Sequence, residues 1–100
     1  PSAADVIGTG STPTLRLIAT PNPAVHFSRF DVRGVDPGVP LYLRIADTSG
    51  RTIRSVVTTG PASVVWDLKD TGNALVPNGI YRVRAEGAGV EESARILVLR

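Results

Sequence analysis

From Leu15 onward the chain alternates apolar and polar residues in short runs, interrupted by Gly, Pro, Asn and Asp about every ten positions. That spacing predicts an all-β sandwich or barrel, and no segment carries the period of a helix of useful length. The cleanest run is Pro40 to Asp47, which places Leu41, Leu43 and Ile45 on a core face and Tyr42, Arg44 and Ala46 on a wet one. Ile80 to Glu86 repeats the pattern, with Tyr81, Val83 and Ala85 opposite Arg82, Arg84 and Glu86. In Ala62 to Leu68 the residues Val64, Trp66 and Leu68 share a phase, which makes Trp66 the expected large filler of the core.

The remaining runs are less regular. Leu15 to Thr20 stops at Pro21-Asn22-Pro23, where two prolines remove backbone donors and fix a rigid turn. Val25 to Val32 changes phase between Phe27 and Phe30, so a bulge near Ser28 or Arg29 is expected. Thr48-Ser49-Gly50 reads as a hairpin turn leading into Arg51 to Val57, with Gly50 supplying a positive φ. Gly60-Pro61 breaks the chain again, and Asp70 to Gly79 is a long turn-rich loop. The last run, Val90 to Leu99, ends in Ile96-Leu97-Val98-Leu99, the pattern of burial on both faces or of one face awaiting a partner.

Seven antiparallel strands with these turns predict an immunoglobulin-like two-sheet β-sandwich, built without the Cys pair of antibody domains. Tyr81, at the start of the sixth strand, is either a tyrosine corner bonded to nearby backbone or a buried tyrosine without that role. Residues 1–13 have the composition of a flexible linker, which places the domain at 14–100.

Composition bounds the function. At 100 residues and 42% hydrophobic the chain has room for one core and needs no metal or disulfide to fold. Its lack of cysteine excludes thiolate metal sites, thiol nucleophiles and redox chemistry of its own. It also lacks methionine, so Pro1 is read as internal to a longer chain with upstream domains. No apolar run approaches the roughly 20 residues of a membrane helix, and no membrane span is expected. A formal charge of +2 is too balanced for an expected nucleic-acid partner. Ten of the eleven cations are Arg.

Catalytic chemistry finds little footing. The one histidine, His26, reads as a solvated strand residue, and no nucleophile elbow accompanies any serine, so no catalytic residue and no cofactor is expected. Asp67, Asp70 and Asn73 supply the oxygen ligands Ca²⁺ prefers, but their spacing matches no EF-hand and turn hydrogen bonding is the base expectation; no metal site is assigned. Sugar binding would call for exposed aromatics, and alternation exposes only Tyr42. Arg44, Arg82 and Arg84 form a modest anionic-ligand patch if the third and sixth strands are neighbours, with Glu86, Glu91 and Glu92 placed to neutralise it, so a solvated face is expected.

The order of the turns carries a resemblance. Pro21-Asn22-Pro23 before a strand, Ile45-Ala46-Asp47-Thr48-Ser49-Gly50-Arg51 at a hairpin, Val65-Trp66-Asp67, and then Gly72-Asn73 through Pro77-Asn78-Gly79-Ile80-Tyr81 together resemble the C-terminal sorting domains of the bacterial type IX secretion system. The closing Ala94-Arg95-Ile96-Leu97-Val98-Leu99-Arg100 fits as well, and the likeness runs from about Ile18 to Arg100. The pattern is also similar to the immunoglobulin-like domain of flagellar hook-capping proteins. Two departures are a lone Arg100 where family tails are often Lys-rich, and Leu68 where the family often has Gly.

The resemblance implies a non-catalytic module at the end of a larger secreted protein, recognised by outer-membrane secretion machinery and often removed by a sortase that attaches the cargo to the cell surface. It implies that Arg95, Ile96, Leu97, Val98, Leu99 and Arg100 matter most for recognition. Pro21, Asn22, Pro23, Asp47, Gly50, Arg51, Trp66, Gly79 and Tyr81 then serve the fold. The alternatives are a structural spacer or assembly module like that of hook capping, and a carbohydrate-binding module built on Tyr42 and the arginines.

Overall fold

A computed structural model describes residues 15–87 and 89–100; the linker expected at 1–13 lies outside the described residues. Among the described residues seven strands form two antiparallel sheets: β1 Arg16–Thr20, β2 Ser28–Arg33, β3 Pro40–Ala46, β4 Thr52–Thr59, β5 Ala62–Trp66, β6 Gly79–Gly87 and β7 Val90–Val98. The three-stranded sheet runs β1-β2-β5 and the four-stranded sheet β4-β3-β6-β7, the arrangement of an immunoglobulin-like sandwich. Among the described residues no helix is long and apolar enough to cross a membrane.

Alternation along each strand decides what lies between the sheets. Phe30 and Val32 from β2 and Trp66 from β5 meet Leu41, Leu43 and Ile45 from β3, Tyr81, Val83 and Ala85 from β6, and Ile96 and Val98 from β7. Trp66 sits at the centre, tilted against Phe30 at 6.3 Å between ring centroids and edge-on to Tyr81 at 5.7 Å. Each such pair adds about 0.5–1.5 kcal/mol beyond the area it buries. The indole N–H, which burial would otherwise leave unpaired, donates to the Lys69 carbonyl at 2.9 Å.

The bulge expected at Ser28 or Arg29 is absent. β2 starts at Ser28 and pairs in unbroken register with both β1 and β5. The phase change arises because residues 25–27 leave the sheet, so that Val25, His26 and Phe27 are exposed while Ala24 bridges to Val98 in β7. His26 is thus solvated as expected, though outside any strand. The cause lies just upstream, where Pro21 and Pro23 cannot donate to a ladder and turn the chain from one sheet toward the other.

Two glycines permit close packing that turn chemistry does not reveal. A Cβ on Gly60 would stand 2.2 Å from Val35 Cγ2, and one on Gly87 would stand 2.6 Å from Leu41 Cδ2 and 2.8 Å from the Pro40 carbonyl. Both sites close the sandwich around Leu41.

Candidate functional site

The segment singled out for recognition, Arg95 to Arg100, comprises the end of β7, an outer strand of the four-stranded sheet, and the two residues that follow it. Ile96 and Val98 point into the core and are fully buried, Leu97 is half-buried, and Arg95, Leu99 and Arg100 are exposed. The apolar run therefore has one face in the core, while Leu99 remains 48% exposed.

The free edge of this strand is covered by the turn residues that carry the resemblance. The Asn22 side chain acts as a short piece of strand: its Nδ2 donates to the Arg95 carbonyl at 2.7 Å and its Oδ1 accepts from the Leu97 N–H at 2.9 Å. Ala24 continues the ladder, donating to the Leu97 carbonyl at 2.7 Å and accepting from the Leu99 N–H at 2.9 Å. Asn78 repeats the device at the end, where its Oδ1 accepts from the Arg100 N–H at 3.0 Å and its Nδ2 donates to the Arg100 carbonyl at 3.3 Å. The Arg100 guanidinium donates to the Val76 carbonyl. An amide side chain presents one donor and one acceptor, the same pair a residue offers along a strand, so Asn22 with Ala24 covers the free edge without adding a strand, while Asn78, just before β6, extends the β6–β7 ladder to Arg100. Ladder addition by a partner at this end of β7 would have to displace Asn22 and Ala24.

The other motif residues hold turns. Asp47 Oδ1 accepts from the Ser49 N–H, the Ser49 hydroxyl and the Arg51 N–H, while Gly50 adopts φ +87. These bonds, the Ser49 hydroxyl first, hold the Asp47 carboxyl below its ordinary pKa of 3.8. The Tyr81 hydroxyl donates to the Pro77 carbonyl at 2.6 Å, four residues upstream, the geometry of a tyrosine corner. Burial, followed by the Asp47 charge, pushes this phenol above its ordinary 10.0.

The oxygen-rich loop is committed to its own backbone. Asp67 Oδ1 accepts from the Lys69 N–H and lies 3.1 Å from Arg54 Nη1, and Asp70 Oδ1 accepts from the Ala74 N–H. Among the described residues no group of three His, Cys, Asp or Glu side chains is placed to hold a metal. Leu68 takes a left-handed φ of 62 with its side chain fully buried, so the position at which the resembled family often has Gly demands the backbone that glycine tolerates best.

The outward face of the four-stranded sheet differs from expectation. β3 and β6 are neighbours, so Arg44 and Arg84 stand directly opposite, and Arg82 faces Arg95 of β7. Arg95 was not part of the expected patch. Glu92 pairs with Ala85 on the inward phase and so cannot neutralise these arginines; Glu86 shares their face, two residues from Arg84 and beside a second hollow lined by Arg44 and Arg84, but among the described residues only Glu91 comes within 4 Å, at 3.8 Å from Arg84. Tyr42 is 55% exposed beside them.

Two solved structures share the fold. Dimeric latent PorU from Porphyromonas gingivalis matches 94% of this chain with a TM-score of 0.76 at 21% identity, over 10% of its own length. PorZ from the same bacterium, an essential surface component of its type IX secretion system, matches 84% with a TM-score of 0.66 at 21% identity, over 11% of its length. The chain thus spans about a tenth of either protein, and at this identity the likeness is one of fold. No family model and no curated protein matches the chain.

Proposed function

We propose that this chain is a non-catalytic C-terminal sorting and cell-surface attachment domain of a larger secreted bacterial protein, read by outer-membrane secretion machinery and then by a sortase. One observation carries the reading. The two Asn-containing turns that prompt the resemblance, Pro21-Asn22-Pro23 and Pro77-Asn78-Gly79, both spend their amides on the terminal segment Arg95 to Arg100. The conformation of that segment is therefore fixed from outside the sheet ladder, as a recognised terminal signal requires. A shared fold with a surface component of a type IX secretion system agrees with this.

In this reading the machinery contacts the exposed side chains Arg95, Leu99 and Arg100, while Ile96 and Val98 keep the strand in place. The test fuses the chain to the C-terminus of a reporter in a bacterium with this secretion route. Export of the fusion to the cell surface is expected, as is its loss in an Arg95→Ser, Leu99→Ser, Arg100→Ser variant whose circular dichroism and melting remain native. A fusion retained in the periplasm like the bare reporter would falsify the sorting role; normal export of the triple variant would remove recognition from these side chains.

A further inference from the structure

We propose that the outward face of the four-stranded sheet is a binding site for a small ligand carrying two phosphate groups roughly 8–9 Å apart. This goes beyond the sorting reading and is tested on the chain alone, without secretion.

The argument begins with register. Arg44 and Arg84 are direct cross-strand partners, as are Arg82 and Arg95, and Arg82 and Arg84 lie two residues apart on the same face of β6. Partners directly opposite have Cβ atoms about 5 Å apart, and like charges so placed repel. Two residues along a strand span about 7 Å. The four guanidinium groups therefore form two pairs set diagonally on either side of β6, about 7 Å apart along the strand and about 5 Å across it, which puts their midpoints roughly 8–9 Å apart. Among the described residues, Arg44, Arg82 and Arg95 have no carboxylate within 4 Å, and Arg84 has only Glu91 at 3.8 Å.

All four line one concavity of about 580 Å³, walled on one side by the β3–β4 turn at Asp47 and Gly50. That volume suits a small molecule. Among the described residues the one carboxylate in the wall belongs to Asp47, whose Oδ1 is taken by Ser49 and the Arg51 N–H and whose Oδ2 faces Arg51 Nε at 3.4 Å, so its charge is already engaged.

Chemistry selects the ligand. A guanidinium presents a planar fork that matches phosphate and carboxylate oxygens bidentately. A phosphate monoester carries about −1.5 to −2 at neutral pH, which matches one arginine pair per group, whereas a carboxylate or sulfate ester brings a single charge. β3 and β6 are the inner strands of the sheet, with backbone groups committed to ladders on both sides, so an acidic peptide would find no main-chain partners here.

Fructose 1,6-bisphosphate is a suitable probe, titrated into the 100-residue chain by calorimetry and by NMR in a phosphate-free buffer of low salt. Saturable 1:1 binding is expected, with the arginine side-chain N–H signals of Arg44, Arg82, Arg84 and Arg95 shifting, and inorganic phosphate binding at least tenfold more weakly. Arg82→Ser with Arg95→Ser should weaken the bisphosphate at least tenfold without lowering the melting temperature, since a repulsive pair is removed. Lys at both positions should restore only part of the affinity. The proposal is overturned if the bisphosphate shows no saturable binding or the Lys variant binds as well as the native chain. It is equally overturned if Arg16→Ser with Arg33→Ser on the other sheet weakens binding as much, or if a hexa-aspartate peptide binds as tightly as the bisphosphate.

Discussion

The outward faces of the two sheets both set arginine opposite arginine, Arg16 facing Arg33 on one and Arg44 facing Arg84 and Arg82 facing Arg95 on the other, and they differ in the carboxylate placed among them. On the three-stranded sheet Arg29 and Arg33 flank Asp31 on β2, with Arg29 Nε 3.4 Å from its carboxylate and the Ser63 hydroxyl donating to it at 2.8 Å. The Ser63 bond, with the charges of Arg29 and Arg33, holds the Asp31 carboxyl below its ordinary pKa of 3.8. On the four-stranded sheet the corresponding interior positions are filled by arginine opposite arginine. Both faces rest on the same core and obey the same alternation, so the fold does not explain the difference. A face whose four arginines have, among the described residues, only the Glu91 carboxylate within 4 Å is one available to a ligand, and that difference is what the following variants probe.

The largest effect comes from removing the support the faces share. Trp66→Ala deletes the ring between Phe30 and Tyr81 and should cost about 3–5 kcal/mol. In urea unfolding with hydrogen exchange, amides of both sheets should lose protection together. Loss confined to the three-stranded sheet would show that the two faces are not supported by one core.

Asn22→Ala should act on one sheet only. It removes two bonds to the edge of β7, at Arg95 and Leu97, and should cost about 1–2 kcal/mol. Exchange at the Leu97 amide should accelerate well beyond the global change, while Val32 in β2 follows global stability. Equal acceleration at both would mean that the asparagine supports the sandwich as a whole rather than the strand that carries Arg95.

Much of this architecture was legible in the chain, because period-two alternation is a direct record of which side chain faces the core. Leu41, Leu43 and Ile45, or Tyr81, Val83 and Ala85, could be read without the structure, as could Trp66. What escaped depends on contacts distant in sequence. Nothing local to Asn22 says that its amide will complete a strand more than seventy residues away, and Gly60 reads as a chain breaker although its role is to let Val35 and Leu41 approach. The phase change before Phe30 has two solutions, a bulge or a departure from the sheet, and only the bridge from Ala24 to Val98 selects the second. Arg95 was grouped with the terminal segment, because its place beside Arg82 appears only once β6 and β7 are paired in register. The residues of the terminal signal were named from a resemblance; burial divides them into inward Ile96 and Val98 and outward Arg95, Leu99 and Arg100.

A smaller effect should make the two faces alike. Arg44→Glu places a carboxylate directly opposite Arg84, turning a repulsive cross-strand pair into an attractive one. A gain of about 0.2–1 kcal/mol is expected in low salt, shrinking as salt is added. The same change should abolish bisphosphate binding, so stability and binding move in opposite directions. A loss of stability would mean that the arginines are not in repulsion and that the contrast between the faces is only apparent.

The smallest expected effect concerns the acid limb of the stability curve. A carboxylate whose folded pKa lies below its unfolded one contributes stability that is complete well above the unfolded value, here 3.8, and is lost as pH falls through the folded value. Asp31 and Asp47 both have this sign, one on the three-stranded face and one beside the arginine-rich face. Asp31→Asn keeps an acceptor for the Ser63 hydroxyl but leaves Arg29 and Arg33 without a counter-charge. Compared with the native chain by urea unfolding from pH 7 to pH 2, it should be less stable by a constant amount down to about pH 5, and the gap should begin to close as pH falls through 3.8 and close fully only below the lower folded value, where the native carboxylate is itself protonated. The limb should flatten without vanishing, because Asp47 still titrates. A gap that stays constant to pH 2 would mean that the Asp31 charge does not hold its arginines, and the two faces would then differ in sequence but not in electrostatics.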